Sequence, residues 1–461
     1  MSETSEVGSA AQPGSGRPRH ESGLSSGPGI STSGKWASFS VPEYRWLWAG
    51  AAASFLSVQM MFVARGWLAW QLTESSLAIG AVYLVFGLVM LVGMPIGGVA
   101  ADRLGKRTLL RVSSAAMTAS QLTMGIVVAT ELVSFWMLLV AALLQGGAFS
   151  LIAPARVSIS RDIVGPRLLS NAVVLQQIAM NTTRVFGPSV AGLILFLAPS
   201  DQSGIAATYL ITGSIMFLSF VSTFFLPPGL PTGDLSRSPL NDLGDGVRYL
   251  RSRPALMSLV VTSLLVTMVA FPYVALLPEL ADEVFGVGGS GFGFLMAISA
   301  IGGVTAAFYS ADRADGPLAG RLQTIFGFGF GAGLLVMAAA PAFAWAVAPM
   351  ILIGFAATGF QALNNTLALH NADHAYHGRV QGLLMMSFGA FGVAALPLGA
   401  LADQIGVRQT VALMGVAGIL VMCGYLAWGH RSELATSEPV APVGSRSGPP
   451  SYAERAADEH R

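Results

Sequence analysis

The chain has 461 residues, of which 53% are hydrophobic and 11% charged, and its mean hydropathy is +0.63. Soluble domains carry roughly a quarter charged residues, so this composition excludes a soluble globular protein. A net charge of +1 gives no argument for an acidic or basic partner, and no nucleic-acid partner is expected.

Residues 1–40 are rich in Gly, Ser and Pro and read as a disordered tail. They lack the apolar stretch of a secretory signal, so the first membrane span is expected to direct insertion. Twelve apolar runs follow, each near the roughly 20 residues that a bilayer core requires. They lie near 46–70, 76–100, 108–130, 133–154, 168–198 and 205–226, then near 255–280, 288–310, 318–340, 343–369, 379–402 and 408–429. The predicted architecture is an all-α membrane protein, with twelve transmembrane helices in two pseudo-symmetric six-helix bundles at 41–226 and 255–430. A linker at 227–254 and a second disordered tail at 431–461 complete the division.

Positive charge is retained on the cytoplasmic side of a membrane. If the N-terminus lies inside, the inner loops hold fourteen Lys and Arg residues and the outer loops hold Arg408 alone. The outer loops carry the acids Glu74, Glu131, Asp201, Glu279, Asp282, Glu283 and Asp403. The expectation is a multi-pass protein of the plasma (inner) membrane, both tails cytoplasmic and monomeric, in contact with the lipid bilayer.

Span one places Gln59, Met60, Met61, Arg65 and Trp67 in an apolar run. An intramembrane guanidinium costs on the order of 3 kcal/mol or more unless it faces a partner or water, so Arg65 and, in span five, Arg184 are candidate substrate contacts. Between spans two and three stands a charged hairpin containing Gly98, Asp102, Arg103, Gly105, Lys106 and Arg107. Gly98 allows close helix approach, Gly105 is read as a tight turn, and the cations anchor at lipid phosphates. Span four contributes Gln145 and, at its inner end, Arg156; span five adds Gly187, Pro188 and Gly192, read as a kinked, closely packed helix.

In the linker, Leu240, Leu243, Val247 and Leu250 recur at helical spacing opposite Asp242, Asp245, Arg248 and Arg251, which predicts a short amphipathic helix on the inner surface that Pro254 ends. Glu279, at the outer end of span seven, is the acid nearest the interior of any span, and Gln361, Asn364 and Asn365 are the polar residues of span ten. Before span eleven, His370, Asp373, His374 and His377 cluster, but position 371 is Asn, so HExxH is absent and no metal is expected. Cys423, the one cysteine, reads as a small buried hydrophobe, and no phosphate-binding G-x-x-x-x-G-K-[ST] motif or other cofactor site is found.

Two features repeat at nearly one offset: Asp102 and Arg103 recur as Asp312 and Arg313, and Pro188 recurs as Pro397. Repeated halves with a pathway between them are a recurring transporter design. The hairpin G-x-x-x-D-R-x-G-[RK]-[RK] resembles the major facilitator superfamily signature between spans two and three. More narrowly, Pro42 to Trp48, Gln71 to Gly80 and Arg184 to Pro188 look like the enterobactin exporter and macrolide efflux branch.

That resemblance implies that Asp102 latches the halves by engaging the N-terminus of helix eleven and a nearby arginine, for which Arg156 is the candidate. It also implies that spans one, four, seven and ten line the cavity. Gly187, Pro188 and Gly192 match the antiporter signature, with Thr183 in place of a glycine; the R-x-x-Q-G pattern keeps Gln145 but has Ala142 for its arginine. The function expected is secondary export of a small organic molecule by alternating access, with protons the candidate coupling ion at Asp102 or Glu279. Facing a cavity, two arginines favour an anionic or phenolate-bearing substrate. An uptake carrier and a non-transporting receptor or scaffold are the alternatives, and no enzyme activity is expected.

Overall fold

The computed structural model describes residues 34, 36–229, 239–314, 316–373 and 376–437. Both predicted tails, apart from residues 34 and 36–40 and the last turns of the final helix, lie outside them. The described residues form thirteen α-helices joined by short turns. In chain order these are α1 (Pro42–Thr73), α2 (Ser76–Arg103), α3 (Lys106–Ala129), α4 (Phe135–Leu197), α5 (Asp201–Ser222), α6 (Pro239–Arg251) and α7 (Pro254–Val269). The chain continues through α8 (Tyr273–Glu279), α9 (Gly288–Ala311), α10 (Ala319–Ala339), α11 (Phe343–His370), α12 (His377–Ile405) and α13 (Val407–Ser437).

Local chemistry sets the helix ends. Pro42 and Pro254 occupy first-turn positions of α1 and α7, where the missing N–H is no loss. Ser75 caps α2 by accepting from the Ala78 N–H, and Ser200 and Ser203 form a reciprocal capping box at α5. Eleven segments among the described residues are long and apolar enough to cross a membrane. One of them, α4, has 63 residues, roughly 95 Å at 1.5 Å per residue, and accounts for two predicted spans. Its limbs part at Gly165, whose φ of 69° and ψ of 174° are the non-helical torsions within it. The helix therefore continues through the charged stretch 155–164, which the sequence reading leaves between spans. Span seven departs from the expected single helix: it breaks into α7, α8 and a π-helical turn at Leu280–Val284, with Pro272 at the break.

In the first half α1 packs on α4 and α5, α3 on α4 and α5, and α2 on α4. In the second, α11 packs on α9 and α10, α10 on α13, and α7 on α12 and α13. The halves meet along two seams, α2 against α12 and α4 against α9. Each seam is made of backbone touching backbone. A Cβ at Gly192 would overlap the Gly293 carbonyl oxygen and one at Gly293 the Gly192 oxygen, while Gly392 presses on the Tyr83 carbonyl. The linker segment forms the helix α6, in which Leu250 is buried with Leu256, Val260, Ala368, Val380 and Leu384; the side chains of Leu240, Asp242 and Leu243 lie outside those described. Tyr249 stacks on Tyr376 at 3.9 Å and Arg253 pairs with Asp373 at 2.9 Å, so α6 is docked on the start of α12.

The molecule thus has two ends. The hairpin end carries the α2–α3 turn and α6; the opposite, acidic end carries the turns after α1, α4, α8 and α12.

Candidate functional site

Ser57, Met61 and Arg65 lie four residues apart and share one face of α1. That face meets α3, α4 and α5 to form a buried polar cluster. Arg65 is 1% exposed; its Nη2 donates to Gln145 Oε1 on α4 and contacts Met61 Sδ at 3.4 Å. The Gln145 amide donates onward to Ser120 Oγ at 3.1 Å, and Ser57 Oγ donates to Gln121 Oε1 at 2.9 Å. Aromatic rings close the remaining sides. The guanidinium lies 4.8 Å from the Phe86 ring centroid and 5.6 Å from that of Phe62, with Tyr83 and Tyr209 as its electrostatic neighbours.

Arg65 Nη1 and the Tyr209 hydroxyl are both buried; neither has a partner at strict hydrogen-bond geometry among the described residues, and the two side chains lie close enough to each other to interact. A buried unsatisfied donor costs about 1–3 kcal/mol. The cluster can therefore give a guanidinium N–H and a phenol to an incoming acceptor. The structure brings together Arg65 and Gln145, two residues singled out separately in the sequence. Gln121, Ser120, Ser57 and Tyr209 escape that reading; the signal available was the four-residue spacing of polar groups along α1.

The other predicted contacts disperse. Arg184 is half-buried on the second limb of α4, one turn from Gly187, whose added Cβ would meet Gln59. Gln59 and Gln361 are half-buried. Asn364 turns toward α10 and accepts from Gln323 Nε2 at 3.2 Å, with buried Asn365 beside it in sequence. Pro188 lies inside α4, and Gly187 and Gly192 are close-approach positions against α1 and α9. Cys423 departs from its reading as buried: it is exposed on α13.

At the acidic end carboxylates cross between the halves. Asp403, at the end of α12, accepts from Ser75 Oγ at 2.6 Å, Ser76 N at 2.8 Å and Leu77 N at 3.2 Å, capping the N-terminus of α2. Asp201, after the second limb of α4, accepts from Gly289 N of α9 at 3.2 Å and from Gln71 Nε2 at 3.2 Å. Each half thus supplies an aspartate to a helix N-terminus of the other. Glu279 is buried and accepts from Ser76 Oγ, Asp282 accepts from Trp70 Nε1 at 2.8 Å, and Trp67 stacks on Phe292 at 5.3 Å. This end is closed.

At the hairpin end Arg103 is exposed, Arg107 donates to the Leu226 carbonyl at 2.9 Å, and buried Lys106 pairs with Asp162 at 2.7 Å. Gly105 caps α3 at φ −60° and ψ 116°, a conformation open to any residue, so the expected need for glycine in the turn is not met there. The surroundings of Gly98 and the side chain of Asp102 lie outside the described residues, as does His374. Arg156, the candidate partner of Asp102, donates to the Gly50 carbonyl at 3.2 Å and Ser219 Oγ at 3.3 Å within the first half. The halves also touch nearer this end, where Gln381 Nε2 donates to Gln177 Oε1 at 3.3 Å.

Residues 47–395 match the family model of the Major Facilitator Superfamily. The Staphyloferrin A transporter of Staphylococcus aureus is 23% identical over 352 residues, covering 74% of this chain and 85% of the relative. The Enterobactin exporter EntS of Escherichia coli is 23% identical over 342 residues, covering 74% and 80%. Among solved structures, the nucleoside transporter NupG aligns with a TM-score of 0.64 at 15% identity, over 84% of this chain and 99% of that one. A bacterial homologue of the lysosomal transporter Spinster, inward-facing and occupied, aligns at 0.65 with 14% identity, over 86% and 98%. With its paired helical halves and a family match across most of its length, this chain belongs to the major facilitator superfamily of membrane transporters.

Proposed function

We propose that the protein exports a small organic molecule bearing anionic or phenolate oxygens, of the siderophore or drug-like class, by alternating access. The observation that carries this reading is Arg65 Nη1, buried beside Tyr209 and the rings of Phe62 and Phe86: an arginine held by Gln145 and still able to donate suits oxygen-rich ligands. Two relatives whose names concern siderophores, at 23% identity, support the substrate class, and one of them is named an exporter. Arg184, Gln59 and Gln361 are assigned to the wall of the pathway, with the halves 41–226 and 255–430 moving against each other as a monomer.

The concentration of Lys and Arg at the hairpin end assigns that end and both tails to the cytoplasm. The closed acidic end is then the outer face. Glu279, bonded to Ser76 across the seam, is the group assigned to proton exchange, and Asp102 is assigned to the cytoplasmic latch with Gly98, Arg103, Gly105, Lys106, Arg107 and Arg156.

The test is accumulation of a catechol siderophore, a macrolide and a cationic dye in cells with and without the protein. Lower siderophore accumulation that a protonophore reverses is expected. Higher accumulation in expressing cells would mean uptake, and no change for any compound would remove the substrate assignment.

A further inference from the structure

The outward surface of the first half carries an aromatic and cationic patch at the hairpin end, where α1, α3 and the end of α5 meet. After α5 the chain makes one 3-10 turn, Thr223–Phe225, in which Phe224 is 52% exposed and Phe225 50%. Trp46 of α1, 45% exposed, stacks on Phe225 with ring centroids 4.2 Å apart. The Arg111 guanidinium of α3 rests on the other ring, 4.1 Å from the Phe224 centroid. Arg107, one turn earlier on α3, holds this turn in place by donating to the Leu226 carbonyl at 2.9 Å. Buried Lys106 is paired with Asp162, and Glu43 sits in the first turn of α1, where the helix dipole favours an acid.

The patch is ordered by depth. Arg111 stands five residues, roughly 7.5 Å, inside the first residue of α3. Along the outward face of α3 the exposed residues are then Val112, Ala116 and Ala119, and α5, which packs on α3, exposes Phe217 and Leu218. Cations and aromatic rings thus lie at the rim, with apolar surface deeper in. Aromatic rings belong at the headgroup level of a bilayer, and a guanidinium at that level takes phosphate oxygens two at a time. Arg103, exposed at the end of α2, adds positive charge at the same end, which favours a headgroup of net negative charge over a zwitterionic one.

We propose that this patch binds one anionic phospholipid from the leaflet at the hairpin end, with the phosphate on Arg111, the glycerol backbone against Trp46 and Phe225, and the acyl chains along α3 and α5. Arg111 selects the headgroup, and its seat on Phe224 sets its direction. Arg107 is a positioning residue, because it holds the turn that carries both phenylalanine rings. The exposed apolar strip below the cation commits the site to a lipid, since a soluble phosphate ester leaves that strip uncovered.

The full-length protein is placed in phosphatidylcholine nanodiscs containing a fixed fraction of either phosphatidylglycerol or phosphatidylcholine whose acyl chains are brominated close to the headgroup. Quenching at Trp46 is read as the difference between the wild type and Trp46→Phe. Brominated phosphatidylglycerol is expected to occupy the site about fivefold more than the brominated phosphatidylcholine. Arg111→Gln removes the preference. Arg313→Gln, which deletes an exposed arginine lying on the Tyr309 ring at the same end of the second half, keeps it. Should Arg111→Gln fail to fold, Phe224→Ala, at a half-exposed ring, is the second variant and is expected to weaken the preference. Glycerophosphoglycerol, the headgroup without chains, is expected to leave the quenching unchanged. Equal quenching of Trp46 by the two lipids, a preference that survives both Arg111→Gln and Phe224→Ala, or displacement of the lipid by glycerophosphoglycerol overturns the proposal.

Discussion

Arg65 is the residue on which the functional reading turns. Within an apolar helix its charge is tolerated because Gln145, Met61 and two aromatic faces share it. Removing it as Arg65→Ala leaves Gln145 Oε1 buried and unpaired, a loss of about 1–3 kcal/mol. The expected outcome is transport reduced by at least about tenfold, with membrane abundance lowered modestly; Arg65→Lys, which keeps the charge but not the fork, recovers part of the rate. Initial transport rates normalised to immunoblot abundance check this, and unchanged transport by Arg65→Ala would place the guanidinium outside the pathway. The sequence made Arg65 and Gln145 visible because polar residues in apolar runs stand out. It could not show that they meet, since they belong to different helices and no local pattern encodes the rotation of α1 against α4. Arg156 illustrates the same limit: its neighbours Gly50 and Ser219 are more than 60 positions away in sequence.

At the scale of elements, the apolar runs placed most of the long helices to within a few residues, because a bilayer demands both length and continuous apolarity. The misses have local causes. The stretch 155–164 carries three arginine or aspartate side chains, and beside Pro154 and Pro166 it reads as a loop, yet an α-helix satisfies its own backbone whatever it meets outside. Glycine decides the seams. Gly293→Leu places a side chain against the Gly192 carbonyl and is expected to cost about 1–3 kcal/mol through overpacking, seen as a lower midpoint of thermal unfolding, while Gly424→Leu, at a glycine with open space around it, leaves the midpoint unchanged. The aspartate caps are the second device. Asp403→Asn weakens three hydrogen bonds onto the start of α2 and is expected to shift the closed acidic end toward opening by about 1–2 kcal/mol. In a Cys423→Ser background with Leu280→Cys, buried at that end, the rate of thiol labelling should rise severalfold on adding Asp403→Asn. Labelling that stays the same would show that Asp403 does not hold the end shut.

For the whole molecule, contacts between the halves at both ends specify what alternating access must break. The acidic end is joined by Asp201, Glu279, Asp282 and Asp403, and Gln177 meets Gln381 nearer the hairpin end. A disulfide between Gln177→Cys and Gln381→Cys, made in the Cys423→Ser background, is expected to stop transport and to release it on reduction. Full activity in the cross-linked protein would mean that this contact persists through the cycle. The two-half architecture was legible from the repeated Asp-Arg pair and the paired prolines; the partners of the outer-loop acids were not, because charge sidedness says where an acid lies and nothing of what it bonds.

Export through a site built on Arg65 is tested most directly in membrane vesicles of known sidedness. Inside-out vesicles containing the protein, energised with a proton gradient, should accumulate a catechol siderophore above vesicles that lack it, and Arg65→Ala should abolish the difference. Accumulation confined to right-side-out vesicles, or equal in wild type and Arg65→Ala, would contradict the account.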